Sequence, residues 1–202
     1  PTTANYIVMA SLTAPIIMEL SISNGYFIPL IAAHMFVFYF GILADDTPPV
    51  GMAAYAAAAV AKSDPIVTGI QSFIYDIRAA LVPFMFFFNN ELLLISSVDH
   101  DEPNNPAKWV WITNPFEIAI IFAGSVLGMF AFTSLTQGFI LTKTNIVERI
   151  GLIIVIPFLM LPKLMMEKIG LPSHYVSYVI GLGIYGTIYF GQKMKLKKQQ
   201  LA

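Results

Sequence analysis

The feature that most constrains this chain is a pair of adjacent prolines, Pro48 and Pro49, inside a long apolar segment and directly after Asp45, Asp46 and Thr47. A proline lacks the amide hydrogen that a helix needs, and it disfavours helical geometry in the residue before it. The pair therefore predicts that one helix ends near residue 44 and that a second helix begins at Pro49. Two carboxylates at a helix break are costly in lipid, so we interpret the break as an ion or substrate site surrounded by protein or water.

The composition predicts an all-α membrane protein, a polytopic helical bundle. Of the 202 residues, 57% are hydrophobic and 11% are charged, whereas roughly a quarter of an average soluble domain is charged. There is no cysteine, which excludes disulfides and thiol chemistry. We expect a lipid bilayer as the surroundings, no nucleic-acid partner and no cofactor. The chain begins with proline rather than methionine, and we expect it to be the C-terminal part of a longer protein.

The apolar segments predict the order of elements in the first half. Tyr6–Leu20 is interrupted by Pro15 and is shorter than the ~20 residues that a membrane-spanning helix needs. We predict that it is one arm of a re-entrant hairpin with its tip at Pro1–Asn5. Tyr26–Ala44 and Pro49–Ala61 are the predicted halves of the broken helix.

The second half predicts a loop and further membrane helices. A long apolar segment, Ile66–Ile95, follows a polar turn in which Ser63 or Asp64 is placed to cap it. We divide the chain into a transport region (1–95), an extracytoplasmic loop (96–115) and a C-terminal extension (116–202) with a basic tail. The extension contains three predicted membrane helices, and prolines leave open whether the second one spans fully: Phe116–Leu141, Ile150–Met166 and Tyr175–Phe190.

The distribution of lysine and arginine predicts the orientation, because cytoplasmic loops carry an excess of both. With the C-terminus in the cytoplasm, seven basic residues fall inside and three outside, while Arg78 lies within the membrane. The seven inside are Lys62, Lys143, Arg149, Lys193, Lys195, Lys197 and Lys198.

Other polar residues have plainer interpretations. Asp45 and Asp46 could end a surface loop, and one of them could pair with Arg78 or cap the second half-helix. Asp76 and Arg78 are two positions apart and do not face each other on a helix, so each is expected to pair elsewhere. Gly124-x-x-x-Gly128 matches a helix-packing motif and indicates packing only.

Three polar residues near the start of the chain are a second set of candidate ligands. Thr2, Thr3 and Asn5 offer hydroxyl and amide oxygens, which suit a hard cation such as Na+. The alternative is an ordinary N-cap for the helix that follows.

Two stretches resemble a known family. PTTANYIVMASLTAPII and ADDTPPVGMAAYAAAAVAKSDPIVTGIQSFIYDIRAALVPFMFFFN are similar to the large membrane subunit of the tripartite ATP-independent periplasmic (TRAP) transporters. They look most similar to the fused-permease subtype that works with TAXI-type receptors. The resemblance covers residues 1–94 and corresponds to the second half of an inverted repeat.

The resemblance implies an elevator-type secondary transporter in the bacterial inner membrane and no enzymatic activity. A periplasmic substrate-binding protein would deliver an organic acid, often a carboxylate, and a Na+ gradient would drive its uptake. A small membrane subunit or its fused equivalent would complete the permease. The residues implied to bind ion and substrate lie at the hairpin tip and in the unwound segment: Thr2, Thr3, Asn5, Asp45, Asp46, Thr47 and Pro48. No metal other than Na+ at these residues is expected.

Two other function classes compete with transport. An intramembrane aspartyl protease needs two carboxylates that share a proton, and Tyr75-Asp76 matches half of its signature. The second aspartate should follow in a Gly-x-Gly-Asp context, but the other candidates, Asp45 and Asp46, precede it. A non-transporting assembly subunit is the second alternative. The identity of the substrate, the stoichiometry of the ion and the receptor stay open.

Overall fold

The computed structural model describes residues 2–26, 28–99, 105–171 and 173–200. The chain divides into two compact units, Pro1–Thr113 and Asn114–Ala202. Within the described ranges, three segments are long and apolar enough to cross a membrane, Thr2–Ser23, Pro65–Phe88 and Pro115–Gln137. The prediction of an all-α polytopic membrane protein is confirmed.

The first unit opens with a helical hairpin formed by α1 (Thr2–Ser23) and α2 (Leu30–Leu43). Small residues on both helices let the two backbones approach closely. The hydroxyl of Tyr6 and Nδ1 of His34 form a hydrogen bond of 3.0 Å across this interface. The buried core between the helices consists of Ala14, Met18, Ile28, Ala32, Ala33 and Val37.

The predicted length of the first arm was wrong. Helix α1 runs for 22 residues with Pro15 inside it, which is enough to cross a bilayer. The prediction counted only apolar residues, but the polar ends continue the helix. The Ser21 hydroxyl, for example, donates to the Ile17 carbonyl at 2.7 Å. Pro1, in the predicted tip, lies outside the described residues, and re-entrance stays a prediction.

The predicted helix break is present, with different bounds. Helix α2 begins at Leu30 because Pro29 precedes it in extended geometry. Helix α3 spans Met52–Ala61, so Pro49 does not open it as predicted. Its N-cap is Gly51, which has φ +36°, ψ +37°, a left-handed conformation that glycine adopts without steric cost. The Pro48–Pro49 peptide bond is cis.

The long apolar segment after the polar turn contains two helices, α4 (Pro65–Asp76) and α5 (Leu81–Phe88). Asp64 caps α4 as predicted, because its side chain accepts a hydrogen bond of 2.9 Å from the Val67 amide. Residues 77–80 form an irregular turn. There the Ala79 amide donates to the Asp76 carbonyl at 2.8 Å, three residues back. Such tightened turns inside a membrane segment often mark functional positions.

A short antiparallel ribbon occupies part of the predicted loop. Strand β1 (Ile95–Ser97) pairs with β2 (Val110–Trp111), and the rings of Trp109 and Trp111 lie 5.7 Å apart. Residues 100–104 of this loop lie outside the described ranges. The two tryptophans fit the boundary between lipid and water that aromatic residues favour.

The second unit contains α6 (Pro115–Gln137), α7 (Ile146–Met160), α8 (Pro162–Ile169) and α9 (Tyr175–Gln200). Only α6 is long and apolar enough to span a membrane by itself among the described helices of this unit. The predicted span Ile150–Met166 is not a straight helix, because α7 and α8 meet at an angle of 103°. Leu161 is not helical, with φ −127° and ψ 53°, because a proline disfavours helical geometry in the residue before it.

Helix α9 differs from its prediction as a membrane span. It begins at Tyr175 as expected but continues beyond Phe190 to Gln200. It is long enough to cross a bilayer, yet it is not among the described helices that also have the necessary hydropathy. Its serine, threonine, tyrosine and glutamine residues lower the mean hydropathy of the helix.

Candidate functional site

Hydrogen bonds within the segment itself stabilise the break between α2 and α3. The Thr47 hydroxyl donates to the Leu43 carbonyl at 2.6 Å, and the Ala53 amide donates to the Asp45 carbonyl at 3.1 Å. The Gly51 amide donates to the Thr47 carbonyl at 3.0 Å. Several of the backbone groups that a broken helix leaves free are thus satisfied locally, as is needed at membrane depth.

Asp46 joins this break to helix α4. Its carboxylate accepts a hydrogen bond of 3.2 Å from the Ser72 hydroxyl and lies close to the side chain of Asp76. Ser72 and Asp76 are four positions apart and share one face of α4. The break and the end of α4 therefore form one cluster of oxygen atoms.

Pro48 packs against the same face of α4. A Cβ atom added at the buried Gly69 would lie 3.1 Å from Cγ of Pro48 and 3.4 Å from the Tyr55 ring. The Tyr55 hydroxyl donates to the Pro49 carbonyl at 3.1 Å. Glycine at position 69 thus lets α4 approach the prolines closely, which brings Ser72 within reach of the break.

Asp45 and Arg78 do not form the ion pair that the sequence allowed as an alternative. Oδ1 of Asp45 and Nε of Arg78 are both buried and lack hydrogen-bond partners within the part of the chain that the structure describes. The Arg78 guanidinium lies 5.5 Å from the centre of the Tyr75 ring. The other alternative, an aspartate cap on the second half-helix, is also absent, because Gly51 caps α3 without a side-chain hydrogen bond.

The predicted hairpin tip lies beside the last turn of α2. If Gly41 carried a Cβ atom, that atom would be 3.6 Å from the Tyr6 amide nitrogen and 3.9 Å from Cβ of Asn5. The structure thus brings Asn5 close to the residues that lead into Asp45. Thr2 and Thr3 form the first turn of α1, and their role as ligands stays a prediction.

Sequence reasoning missed the pairing of Asp76 with Asp46. A signal was available, since Gly69, Ser72 and Asp76 recur at spacings of three and four residues and mark one face of a helix. Nothing in the sequence, however, indicated that this face would meet the break.

A separate cavity of about 330 Å³ lies between α1, α2 and α5. Its walls are mostly apolar and aromatic and contain no ionisable carboxylate or basic side chain, so it does not extend the oxygen cluster. The residues that line it are Ile17, Leu20, Ser21, Asn24, Tyr26, Phe36, Phe84, Phe87 and Phe88.

Each half of the chain matches a different known protein family. Residues 1–100 match the family described as "Tripartite ATP-independent periplasmic transporter, DctM component". Residues 118–197 match a domain of unknown function, DUF3394. No curated protein and no solved structure matches the chain. The resemblance stated on the PTTAN and ADDTPPV motifs is confirmed at the level of the family, and the subtype stays a prediction.

Proposed function

Because residues 1–100 match the DctM component family of the tripartite ATP-independent periplasmic transporters, we propose that this chain is the permease part of a secondary uptake system for organic acids. A Na+ gradient drives the uptake in this proposal. The transport region lies within residues 1–95, and residues 116–202 form a C-terminal extension.

The observation that carries the proposal is the contact of Asp46 with Ser72 and Asp76. Two carboxylates side by side in an apolar segment are stabilised by a bound cation or by a shared proton. Carboxylate and hydroxyl oxygens are the ligands that hard cations prefer. These three residues would supply the oxygens for Na+, and Asp45, whose Oδ1 is buried and unpaired among the described residues, is placed to contribute another.

The predicted tip residues extend this proposed site from the other side of the break. Asn5 approaches Gly41, one turn before Asp45, and Thr2 and Thr3 precede it on the same helix. Thr47 and Pro48 shape the break, the first by its hydrogen bond to Leu43. The cation would therefore bind between the first turns of α1 and the break that separates α2 from α3.

The proposal includes the partners that the family name suggests. A periplasmic substrate-binding protein would deliver the organic acid, and a small membrane subunit or its fused equivalent would complete the permease. We place the protein in the bacterial inner membrane with the C-terminus in the cytoplasm. The lysine-rich end of α9 supports that orientation, since Lys193, Lys195 and Lys197 come after the apolar stretch that ends at Phe190.

The test is uptake by proteoliposomes that contain the complete protein and its binding protein. We expect uptake of a labelled carboxylate to require an inward Na+ gradient and to fall at least about tenfold in Asp46→Asn. Asp64→Asn is the matched control, because asparagine caps a helix as well as aspartate does. Uptake that is independent of Na+, or equal in wild type and Asp46→Asn at equal expression, would overturn the proposal.

A further inference from the structure

We infer that Arg78 binds the carboxylate group of the transported substrate. This inference rests on the proposed function and adds to it the residue that recognises the anion. It starts from the position of Arg78, in the irregular turn between α4 and α5. That turn falls near the middle of Pro65–Phe88, a segment long and apolar enough to cross a membrane.

The Arg78 side chain has no anionic partner within the described part of the chain. Its Nε is buried without a hydrogen bond, and no carboxylate in the described ranges forms an ion pair with it. Asp76 is the nearest acidic residue in sequence, but its side chain contacts Asp46 instead. An unpaired cation at membrane depth is costly, and such residues mark substrate and ion pathways.

The surroundings of Arg78 suit a ligand that arrives from outside the chain. Its guanidinium lies over the Tyr75 ring, 5.5 Å from the centre, and this contact orients the guanidinium without neutralising its charge. A guanidinium presents five N–H donors in a planar fork that matches the two oxygens of a carboxylate. The turn therefore offers an oriented cation whose charge is not used within the described part of the protein.

The anion site would lie next to the proposed cation site in sequence. Asp76, at the end of α4, contributes to the oxygen cluster, and Arg78 follows two positions later. A cation at Asp46 and Asp76 and a carboxylate at Arg78 would favour each other's binding through their opposite charges, and such coupling is reciprocal. We therefore expect Na+ to lower the apparent KM for the carboxylate in the wild type and to lose that effect when Arg78 is replaced.

The experiment compares wild type, Arg78→Lys and Arg78→Gln in the complete protein, reconstituted with its binding protein. The probes are radiolabelled pyruvate, succinate and citrate, with unlabelled succinamide as a neutral competitor. For the acid that the wild type transports, we expect Arg78→Gln to raise KM at least about tenfold. Arg78→Lys should raise it less, since an ammonium group keeps the charge and loses the fork. Succinamide should not compete.

A charge-matched control and two further measurements separate this inference from its alternatives. Arg149→Gln removes the other arginine of the chain, on α7, and should leave KM unchanged. A KM within twofold of wild type in Arg78→Gln, with an unchanged thermal transition, would overturn the inference. If Arg78→Gln fails to fold, a KM within twofold of wild type in Arg78→Lys would overturn the inference instead.

The remaining outcomes each overturn a different statement. If Arg78→Gln leaves KM unchanged but reduces the amount of co-purified anionic phospholipid, Arg78 binds lipid and the inference is wrong. If the wild type transports no carboxylate, or does so without Na+, the proposed function fails as well. Carboxylate uptake that depends on Na+ but not on Arg78 contradicts only the inference.

Discussion

Asp46 and Asp76 meet side chain to side chain, one carried by the break between α2 and α3 and the other by the last turn of α4. Both residues lie within long, mostly apolar segments, where a single ionised carboxylate is costly. The contact shows that the double proline does more than end a helix. It places the carboxylate of Asp46 beside the end of α4, where Asp76 precedes the irregular turn.

The first prediction concerns the coupling between these two aspartates. Asp46→Asn and Asp76→Asn should each reduce Na+-driven uptake, and the double variant should lose little more than the worse single variant. Residues that act as one unit give non-additive effects, whereas independent sites add. The measurement is a double-mutant cycle on the initial rate of uptake, with Asp64→Asn as the control. Effects that multiply in the double variant would show that the two carboxylates act separately.

The helix break could be predicted from sequence because proline acts locally. Pro48 and Pro49 end helical geometry whatever surrounds them, and the N-cap at Asp64 depends on its own helix in the same way. The start of α3 could not be derived from this rule. It depends on the left-handed conformation of Gly51, which the prolines alone do not specify.

The contacts of the site lay beyond sequence reasoning because they depend on how segments pack. Asp76 was expected to pair elsewhere, and its partner is set by the approach of α4 to Pro48 over Gly69. The bend before Pro162 was readable in principle, since a proline disfavours helical geometry in the residue before it. The angle of 103° between α7 and α8 could not be predicted, because it depends on packing in the second unit.

The second prediction concerns the cap of α4. Asp64→Ala should lower the free energy of unfolding by about 1 kcal/mol, whereas Asp64→Asn should leave it nearly unchanged. The Asp64 side chain holds the Val67 amide at 2.9 Å, and alanine leaves that amide without its acceptor. Hydrogen exchange of the first turn of α4 reports the effect directly. Equal exchange in Asp64→Ala and wild type would show that water replaces the cap without cost.

The third prediction concerns the close packing of α6 in the second unit. A Cβ atom at Gly124 would clash with the ring of Tyr178, which is only 4% exposed and cannot move aside freely. Gly124→Ala should therefore destabilise the protein by about 1–3 kcal/mol, as overpacking does.

Gly183 on α9 is the matched control, because a Cβ atom there would meet nothing within 4 Å. Gly183→Ala should stabilise the helix by up to about 1 kcal/mol, since alanine has the higher helix propensity. Thermal unfolding in detergent would show the two variants shifting in opposite directions. A gain in stability for Gly124→Ala would mean that the Tyr178 ring has room to move.

The last prediction concerns Gln192, which is fully buried on α9. Its Oε1 accepts hydrogen bonds from the amides of Leu141 and Thr142 at 3.1 and 3.0 Å, and its Nε2 donates to Glu148 at 2.8 Å. Gln192→Leu would leave two amides and part of a carboxylate without partners, and each such group costs about 1–3 kcal/mol. We expect a loss of at least about 3 kcal/mol in the free energy of unfolding, measured by denaturant titration in detergent. Gln137→Leu, at the exposed end of α6, should change it little, and equal stability of the two variants would contradict the bridging role of Gln192.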